Sequence, residues 1–170
     1  KIRLEASYTR VLKQQFAKGD CDVILTTETG VDQGGETLAK KPLVWIGAPG
    51  GAAWRQRPLQ LAFCRQCVFR AHIVAALDAQ QIPWEMSVDT ESDRTIEAAV
   101  SADLAVHAMI EGTEPPYLEA IDHAGALPDL PVQQINLYGA TESQDELRDT
   151  LVSLLRNAFA PAQKHRLKAV

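Results

Sequence analysis

The chain has 170 residues and a formal net charge of −5; 46% of its residues are apolar and 23% are charged. These values are typical of a globular protein with one ordinary domain or two small lobes. The acidic balance argues against a nucleic-acid surface on this segment, and no apolar run approaches the ~20 residues that span a bilayer. Three cysteines, an odd number, argue against a disulfide framework and favour a reducing, cytoplasmic compartment.

The first fifty residues predict one helix among three strands. Apolar and polar side chains alternate over 2–6, a pattern typical of a half-buried strand. Thr9 can cap a helix that extends to about Lys18. The apolar run 22–27 predicts a buried strand of the parallel type, and 38–48 predicts one strand or a pair of strands.

The middle of the chain alternates predicted strands with predicted helices. One helix is expected over 67–81, and a second begins after Ser92 or Asp93, either of which can cap it. The predicted strands cover 59–63, 84–88 and 104–110.

A strand over 133–139 and a long helix are expected towards the C-terminal end. Ser143-Gln-Asp-Glu146 has the pattern of a capping box, in which the hydroxyl and the carboxylate satisfy each other's backbone donors. The residues after 163 are expected to form a solvated tail. The apolar face of the predicted helix comprises Leu147, Leu151, Leu154, Leu155 and Ala158.

This order of elements predicts an α/β fold built from two lobes. Strands and helices alternate regularly, which favours layering with right-handed crossovers. Breaks rich in proline and glycine near 49–58 and 127–132 divide the chain into two parts. We expect an outer lobe of residues 1–52 and 133–170 and an inner lobe of residues 53–132. Because the chain crosses twice between them, a hinge and a ligand-binding cleft are expected at the junction.

A succession of short motifs resembles a known family over nearly all of the chain, to about Phe159. The motifs are Leu43-Val-Trp-Ile-Gly-Ala48, Arg57-Pro58-Leu59, Cys67-Val-Phe-Arg70, Ile82-Pro-Trp84 and Glu97-Ala-Ala-Val100. In this order they resemble the effector-binding domain of LysR-type transcriptional regulators. The resemblance implies two Rossmann-like lobes joined by a double crossover, like type 2 periplasmic binding proteins. It also implies a small-molecule effector, a homodimer or homotetramer, and DNA contact only through a winged helix-turn-helix absent from this chain. The first strand-helix unit of that domain has no counterpart in this sequence.

Candidate effector contacts are the turns where predicted strands lead into helices. Backbone N–H groups of 66–69 at a helix start could hold a carboxylate. Glu91 and Asp93 would repel an anion if both faced the cleft, and an amine-bearing or polar neutral effector would then be favoured; otherwise they merely complement the helix dipole. The predicted contacts are Ser7, Tyr8, Thr9, Gly47, Ala48, Arg65, Gln66, Cys67, Val68, Phe69, Thr90, Glu91 and Ser92.

Two alternatives to effector sensing stay open from the residues alone. Cys64-Arg-Gln-Cys67 places two thiols at a helix start, where a thiolate is stabilised, and suggests a redox pair; a small buried thiol at a turn is the simpler interpretation. The same two lobes could also serve transport as a solute-binding protein. The four histidines lack metal-ligand spacing, and no catalytic triad is present. We therefore predict a non-catalytic domain without metal, cofactor or membrane partner.

Overall fold

The computed structural model describes residues 2–139 and 146–160. Seven strands and four helices lie within these ranges, with a short 3₁₀ helix at Ala53–Arg55. Ser143 of the predicted capping box and the predicted tail lie outside the described residues. The helices are α1 (Thr9–Lys18), α2 (Val68–Ala79), α3 (Asp93–Ser101) and α4 (Glu146–Phe159). The strands are β1 (Val23–Glu28), β2 (Gly35–Gly47), β3 (Leu59–Cys64), β4 (Trp84–Thr90), β5 (His107–Ile110), β6 (Glu119–Ala120) and β7 (Val132–Gly139).

Strand β2 is the element that joins the two parts of the molecule. Its residues 35–42 pair with β7, and β7 pairs in turn with β1, all antiparallel. Its residues 43–47 pair instead with β5 and β6. We call β1, β7, residues 35–42, α1 and α4 the outer lobe. The inner lobe comprises residues 43–47, β3 to β6, α2 and α3.

The inner lobe is built around β3, which is buried on both faces. It pairs in parallel with β4, and a single parallel bridge joins Leu61 to Val106, just before β5. Because side chains alternate along a strand, Leu61 and Phe63 pack in one apolar cluster with Ile73 of α2. The cluster on the other face, under α3, comprises Ile46, Ala62, Cys64, Ile96, Val100, Ala105 and Leu118. Burial on both faces explains why residues 59–64 form an almost continuous apolar run.

The α/β fold class and most of the predicted elements are confirmed. Helix α1 has the predicted bounds, although Tyr8 rather than Thr9 occupies its N-cap position. Ser92 caps α3, its side chain accepting from the Thr95 backbone N–H at 3.4 Å. Residues 38–47 of the predicted segment belong to one long strand, which ends before Ala48, and the predicted strand over 104–110 is shortened to β5.

Two sequence-based expectations are wrong. Residues 2–6 form no strand, and Leu4 is 94% exposed, because no described strand pairs with this stretch. The run over 22–27 does form β1, but its neighbour β7 is antiparallel rather than parallel. An apolar run reports burial on both faces and carries no information about the direction of its partner.

The two crossings between the lobes lie side by side. The Leu43 backbone N–H donates to the Pro131 carbonyl at 3.1 Å, and the Trp45 indole N–H donates to the Pro128 carbonyl at 2.9 Å. Pairing of β2 therefore changes partner between Pro42 and Leu43, beside the second crossing. The predicted lobe boundary after residue 52 stays a prediction. Within the described ranges, no helix is both long and apolar enough to cross a membrane.

Candidate functional site

Three side chains from distant parts of the sequence meet where the lobes touch. The Tyr8 hydroxyl oxygen lies 2.7 Å from the Cys64 sulfur and 2.8 Å from Oε2 of Glu91. The Cys64 sulfur lies 3.0 Å from that same Oε2. Tyr8 precedes α1 in the outer lobe, whereas Cys64 and Glu91 belong to the inner lobe. We call these three residues the inter-lobe cluster.

Parallel pairing of β3 with β4 places two members of the inter-lobe cluster together. Cys64 and Thr90 are register partners at the carboxyl ends of the two strands, and Glu91 is the next residue. The carboxyl edge of parallel strands is where α/β proteins bind ligands. Alternation along β3 then directs Cys64 towards the α3 face, beside the turn that carries Glu91.

The hydrogen bonds of the inter-lobe cluster fix its charge. Glu91 accepts from the Tyr8 hydroxyl and from the Cys64 thiol, since an ionised carboxylate only accepts. The bond from Cys64, followed by the bond from Tyr8, lowers the pKa of Glu91. Hydrogen bonding to Cys64 and then to Glu91 raises the pKa of Tyr8. At neutral pH the cluster therefore holds a carboxylate and a protonated phenol.

The nearby arginines form ion pairs with Asp89 rather than with Glu91. Nε of Arg65 lies 3.2 Å and Nη1 of Arg70 lies 3.1 Å from Oδ1 of Asp89. Among the described residues, Glu91 forms no ion pair of its own, although the charge of Arg65 contributes to lowering its pKa. The edge thus carries an ionised carboxylate whose hydrogen-bond donors are neutral.

The thiol at the start of α2 is protected rather than activated. Burial raises the pKa of Cys67, and the neighbouring Cys64 and Asp93 act in the same direction, against the opposing effect of backbone N–H groups at 69 and 70. Cys64 is only 3% exposed, and Cys64 and Cys67 form no disulfide with each other. A reactive redox cysteine requires a lowered pKa and access to solvent. The arrangement therefore gives little support to the thiol-redox alternative.

The remaining predicted contacts have clear positions in the structure. The Thr9 hydroxyl donates to the Thr27 carbonyl at 3.2 Å, and so it ties α1 to β1. A side chain at Gly47 would meet Ile121 at 3.1 Å, so this glycine allows a close approach by the protein itself. The Ser92 backbone N–H donates to the Thr90 hydroxyl at 3.1 Å within the turn before α3. Ser7, Arg65 and Gln66 are exposed, whereas Ala48, Cys67, Val68 and Phe69 are half-buried.

Part of the predicted helix-start binding site is used by the protein itself. The Cys67 backbone N–H donates to the Cys64 carbonyl at 3.2 Å and closes the turn between β3 and α2. Cys67 and Phe69 also pack against the apolar core of the inner lobe. Of the predicted contacts, Tyr8 and Glu91 are brought into direct contact. Cys64, which joins them in the inter-lobe cluster, was not among the predicted contacts, although the period of two along β3 is a signal that could have placed it on the α3 face.

A groove of about 450 Å³ lies between α4 and the outer sheet; its lining includes Glu36, Arg148 and Arg156 and none of the three residues of the inter-lobe cluster. Within the described ranges, no three His, Cys, Asp or Glu side chains are grouped to hold a metal ion. In this arrangement the contacts of Tyr8 close the lobes on each other at the edge where a ligand was expected.

Comparison with known proteins assigns the chain to a family. Residues 1–160 match the family described as the LysR substrate binding domain. The chain belongs to the LysR substrate-binding domain family. One curated relative is the HTH-type transcriptional regulator PecT of Dickeya dadantii (strain 3937), 24% identical over 160 residues. The match covers 92% of this chain and 48% of PecT, so the chain spans about half the length of that relative.

Solved structures with the same fold include two regulatory domains. The CcmR regulatory domain of Synechocystis PCC6803, in complex with 2-PG, has a TM-score of 0.71 and 11% identity, covering 95% of this chain and 85% of that one. The bromide-bound regulatory domain of HypT from Salmonella typhimurium has a TM-score of 0.70 and 14% identity, covering 92% and 81%. The LysR substrate-binding fold expected from the sequence motifs is thereby confirmed. This family is one of ligand-binding regulatory domains rather than of enzymes.

Proposed function

We propose that this chain is the effector-sensing domain of a LysR-type transcription regulator and binds a small molecule between its lobes, around the inter-lobe cluster. Membership of the LysR substrate-binding domain family supports this function, as does the relative PecT, a transcriptional regulator. The complex of the CcmR regulatory domain with 2-PG shows that a protein of this fold binds a small molecule. These findings favour sensing over solute transport.

The observation that carries the mechanism is the contact of Tyr8 with Cys64 and Glu91 across the lobes. A molecule that enters at this edge must replace or rearrange those hydrogen bonds. Binding energy is thereby coupled to the relative position of the lobes, because the effector has different affinities for the closed and the rearranged forms. A coupling free energy of about 1–3 kcal/mol is sufficient for regulation.

The remaining parts of the function follow from this assignment. We place the hinge at Pro42–Leu43, where pairing of β2 changes partner, and at Pro131–Val132 beside it. The first of these positions lies ten residues before the boundary predicted after residue 52, and the second lies within one residue of the boundary predicted after residue 132. The effector contacts are Tyr8 and Glu91, and around them lie the exposed residues Arg65, Gln66 and Ser92 and the half-buried Thr90. DNA is bound by a separate domain, the regulator is a homo-oligomer, and it acts in the cytoplasm without catalysing a reaction.

The test is a screen of this chain against small acids, amines and aromatic compounds by thermal denaturation. A ligand present at about 100 times its dissociation constant stabilises the native state by about 2.7 kcal/mol, which gives a clear rise in melting temperature. Each stabilising compound is then titrated into the ¹⁵N-labelled chain. We expect shift changes at the turns after β3 and β4 and at residues 7–9, together with residual dipolar couplings that report a changed lobe orientation.

The control is the groove between α4 and the outer sheet. The proposed function would be contradicted if every stabilising compound changed chemical shifts only at that groove. It would also be contradicted if no compound in the complete screen bound at the inter-lobe cluster. Binding at the cluster with unchanged lobe orientation would contradict the mechanism of coupling.

A further inference from the structure

The inter-lobe cluster has an unusual balance of charge and hydrogen-bond donors. Glu91 is ionised, and its donors in this structure are a phenol and a thiol, both neutral. The two arginines on the same side of the molecule, Arg65 and Arg70, both lie against Asp89. An ionised carboxylate is best satisfied by a cationic donor, since charge-assisted hydrogen bonds are roughly twice as strong as neutral ones.

A second carboxylate reinforces the negative potential of this edge. Asp93, the first residue of α3, lies close enough to Cys67 and to His107 to shift the pKa of both groups. Asp93 therefore adds a second negative charge at the start of α3, two residues after Glu91. An anionic group entering here would meet both charges, and the Cys67 backbone N–H that could attract it already donates within the protein.

The inter-lobe cluster also has fewer donor protons than short contacts. Tyr8 and Cys64 supply one proton each, and three short contacts join the three residues, so one contact lacks a proton of its own. A primary ammonium group carries three donors and a positive charge. In the position of the Tyr8 hydroxyl it would donate to Glu91 and still have donors for the neighbouring oxygen and sulfur atoms.

We propose that the effector is a small molecule with a protonated amino group, which pairs with Glu91 and displaces the Tyr8 hydroxyl from it. This inference rests on the proposed function and adds the chemical class of the ligand. Tyr8 is then the resident occupant of the ammonium position, and it holds the lobes together until the amine replaces it. Cys67 is half-buried and packs with Tyr8 against the apolar cluster under α3, so it offers an apolar side to a hydrocarbon body at this position.

The test compares three probes of the same size: butylammonium, butyrate and butanol, added at equal ionic strength. Each probe is titrated into the ¹⁵N-labelled chain, and its affinity is taken from the shift changes at the turns after β3 and β4. We expect butylammonium to bind there more tightly than butyrate or butanol. In Glu91→Gln its affinity falls by about tenfold, the loss expected for a hydrogen bond to a charged group.

Two further variants separate the roles of charge and displacement. Glu111→Gln, at an exposed glutamate with the same change of charge, leaves the affinity for butylammonium unchanged. Tyr8→Phe removes the hydroxyl that competes for Glu91, so the affinity for butylammonium rises several-fold. Because Tyr8→Phe makes the opposite prediction to Glu91→Gln, general loss of folding cannot produce both results.

The inference is overturned if butyrate binds at the cluster as tightly as butylammonium, if Glu91→Gln keeps the affinity for butylammonium, or if none of the probes binds. In each of these cases a different class of compound that binds at the cluster in the screen would leave the proposed function standing. Failure of the proposed function is recognised separately, by the absence of any compound that acts at the cluster.

Discussion

Asp103 is the side chain whose replacement tests most directly how the loop after β2 is held on the inner lobe. Its Oδ2 accepts from the Ala52 backbone N–H at 2.8 Å, and its Oδ1 accepts from the Ala53 N–H at 2.9 Å. A side chain at Gly51 would lie 2.4 Å from Oδ1, so the loop passes directly over the carboxylate. Asp103 itself has a left-handed backbone, with φ of 56°.

The expected cost of Asp103→Ala is about 3–4 kcal/mol of unfolding free energy. A hydrogen bond to a charged group contributes about 1.5–3 kcal/mol, and the lower value applies to each bond here because the bond to Ala52 is exposed. Alanine tolerates the left-handed conformation less well than aspartate, which adds up to about 1 kcal/mol. Asp103→Asn keeps one acceptor oxygen and the tolerance for positive φ but loses the other bond, so it costs about 1.5 kcal/mol.

The assay is urea unfolding followed by tryptophan fluorescence at neutral pH. Both variants are expected to shift the midpoint without changing the slope, because the native state keeps its buried area. Asp20→Ala, at an exposed aspartate, serves as the control and should stay within about 0.5 kcal/mol of the parent. A loss below about 0.5 kcal/mol in Asp103→Ala, or equal losses in the Asn and Ala variants, would refute the reasoning.

Three further predictions concern titrating groups. Because burial raises the pKa of Cys67, iodoacetamide should alkylate the Cys67 thiol more slowly than it alkylates the free thiol of glutathione at neutral pH. Both rates are measured by mass spectrometry, and faster alkylation of Cys67 would support the thiol-redox alternative. Burial alone would raise the pKa of Glu28, but hydrogen bonds led by the one from Lys13 outweigh it and lower the pKa. The stabilisation that Glu28 provides is thus present above its unfolded pKa of about 4.3 and is lost as the pH falls through the lower folded value. Glu28→Gln should therefore have a lower free energy of unfolding than the parent at pH 7. In urea titrations at acid pH the two free energies should become equal. Burial lowers the pKa of His107, against the opposing hydrogen bond to the Ala62 carbonyl, so the free energy of unfolding should fall as the pH drops below about 6.5. His107→Gln should make that decline smaller. An unchanged pH profile in this variant would exclude His107 as the source of the decline.

Local patterns along the chain were sufficient to predict most of the elements. The helical spacing around Phe16 and the stop at Gly19 defined α1, and Gly19 does adopt the left-handed conformation, with φ of 77°. The hydroxyl of Ser92 identified the start of α3. The apolar run that became β3 indicated burial on both faces, and β3 indeed lies between the two apolar clusters. Each of these features depends on side chains within a few positions of one another.

The candidate site required the tertiary structure. Tyr8 and Glu91 were both predicted as contacts, yet they are 83 positions apart, and nothing local indicates that they touch. Their contact depends on how the two lobes close about the crossings beside Pro42 and Pro131. Cys64 joined them only because the register of β3 and β4 brings its strand end beside Thr90.

Local sequence patterns predicted most of the elements, the two-lobed α/β class and the turns at which ligands are expected, because periodicity and capping act over one or two turns of chain. The tertiary structure alone decided three things: the antiparallel outer sheet, the absence of a strand over 2–6, and the pairing of an ionised Glu91 with neutral donors. Strand direction and contacts between lobes depend on which distant segments become neighbours. That choice is set by the packing of the whole molecule, which no short stretch of sequence encodes.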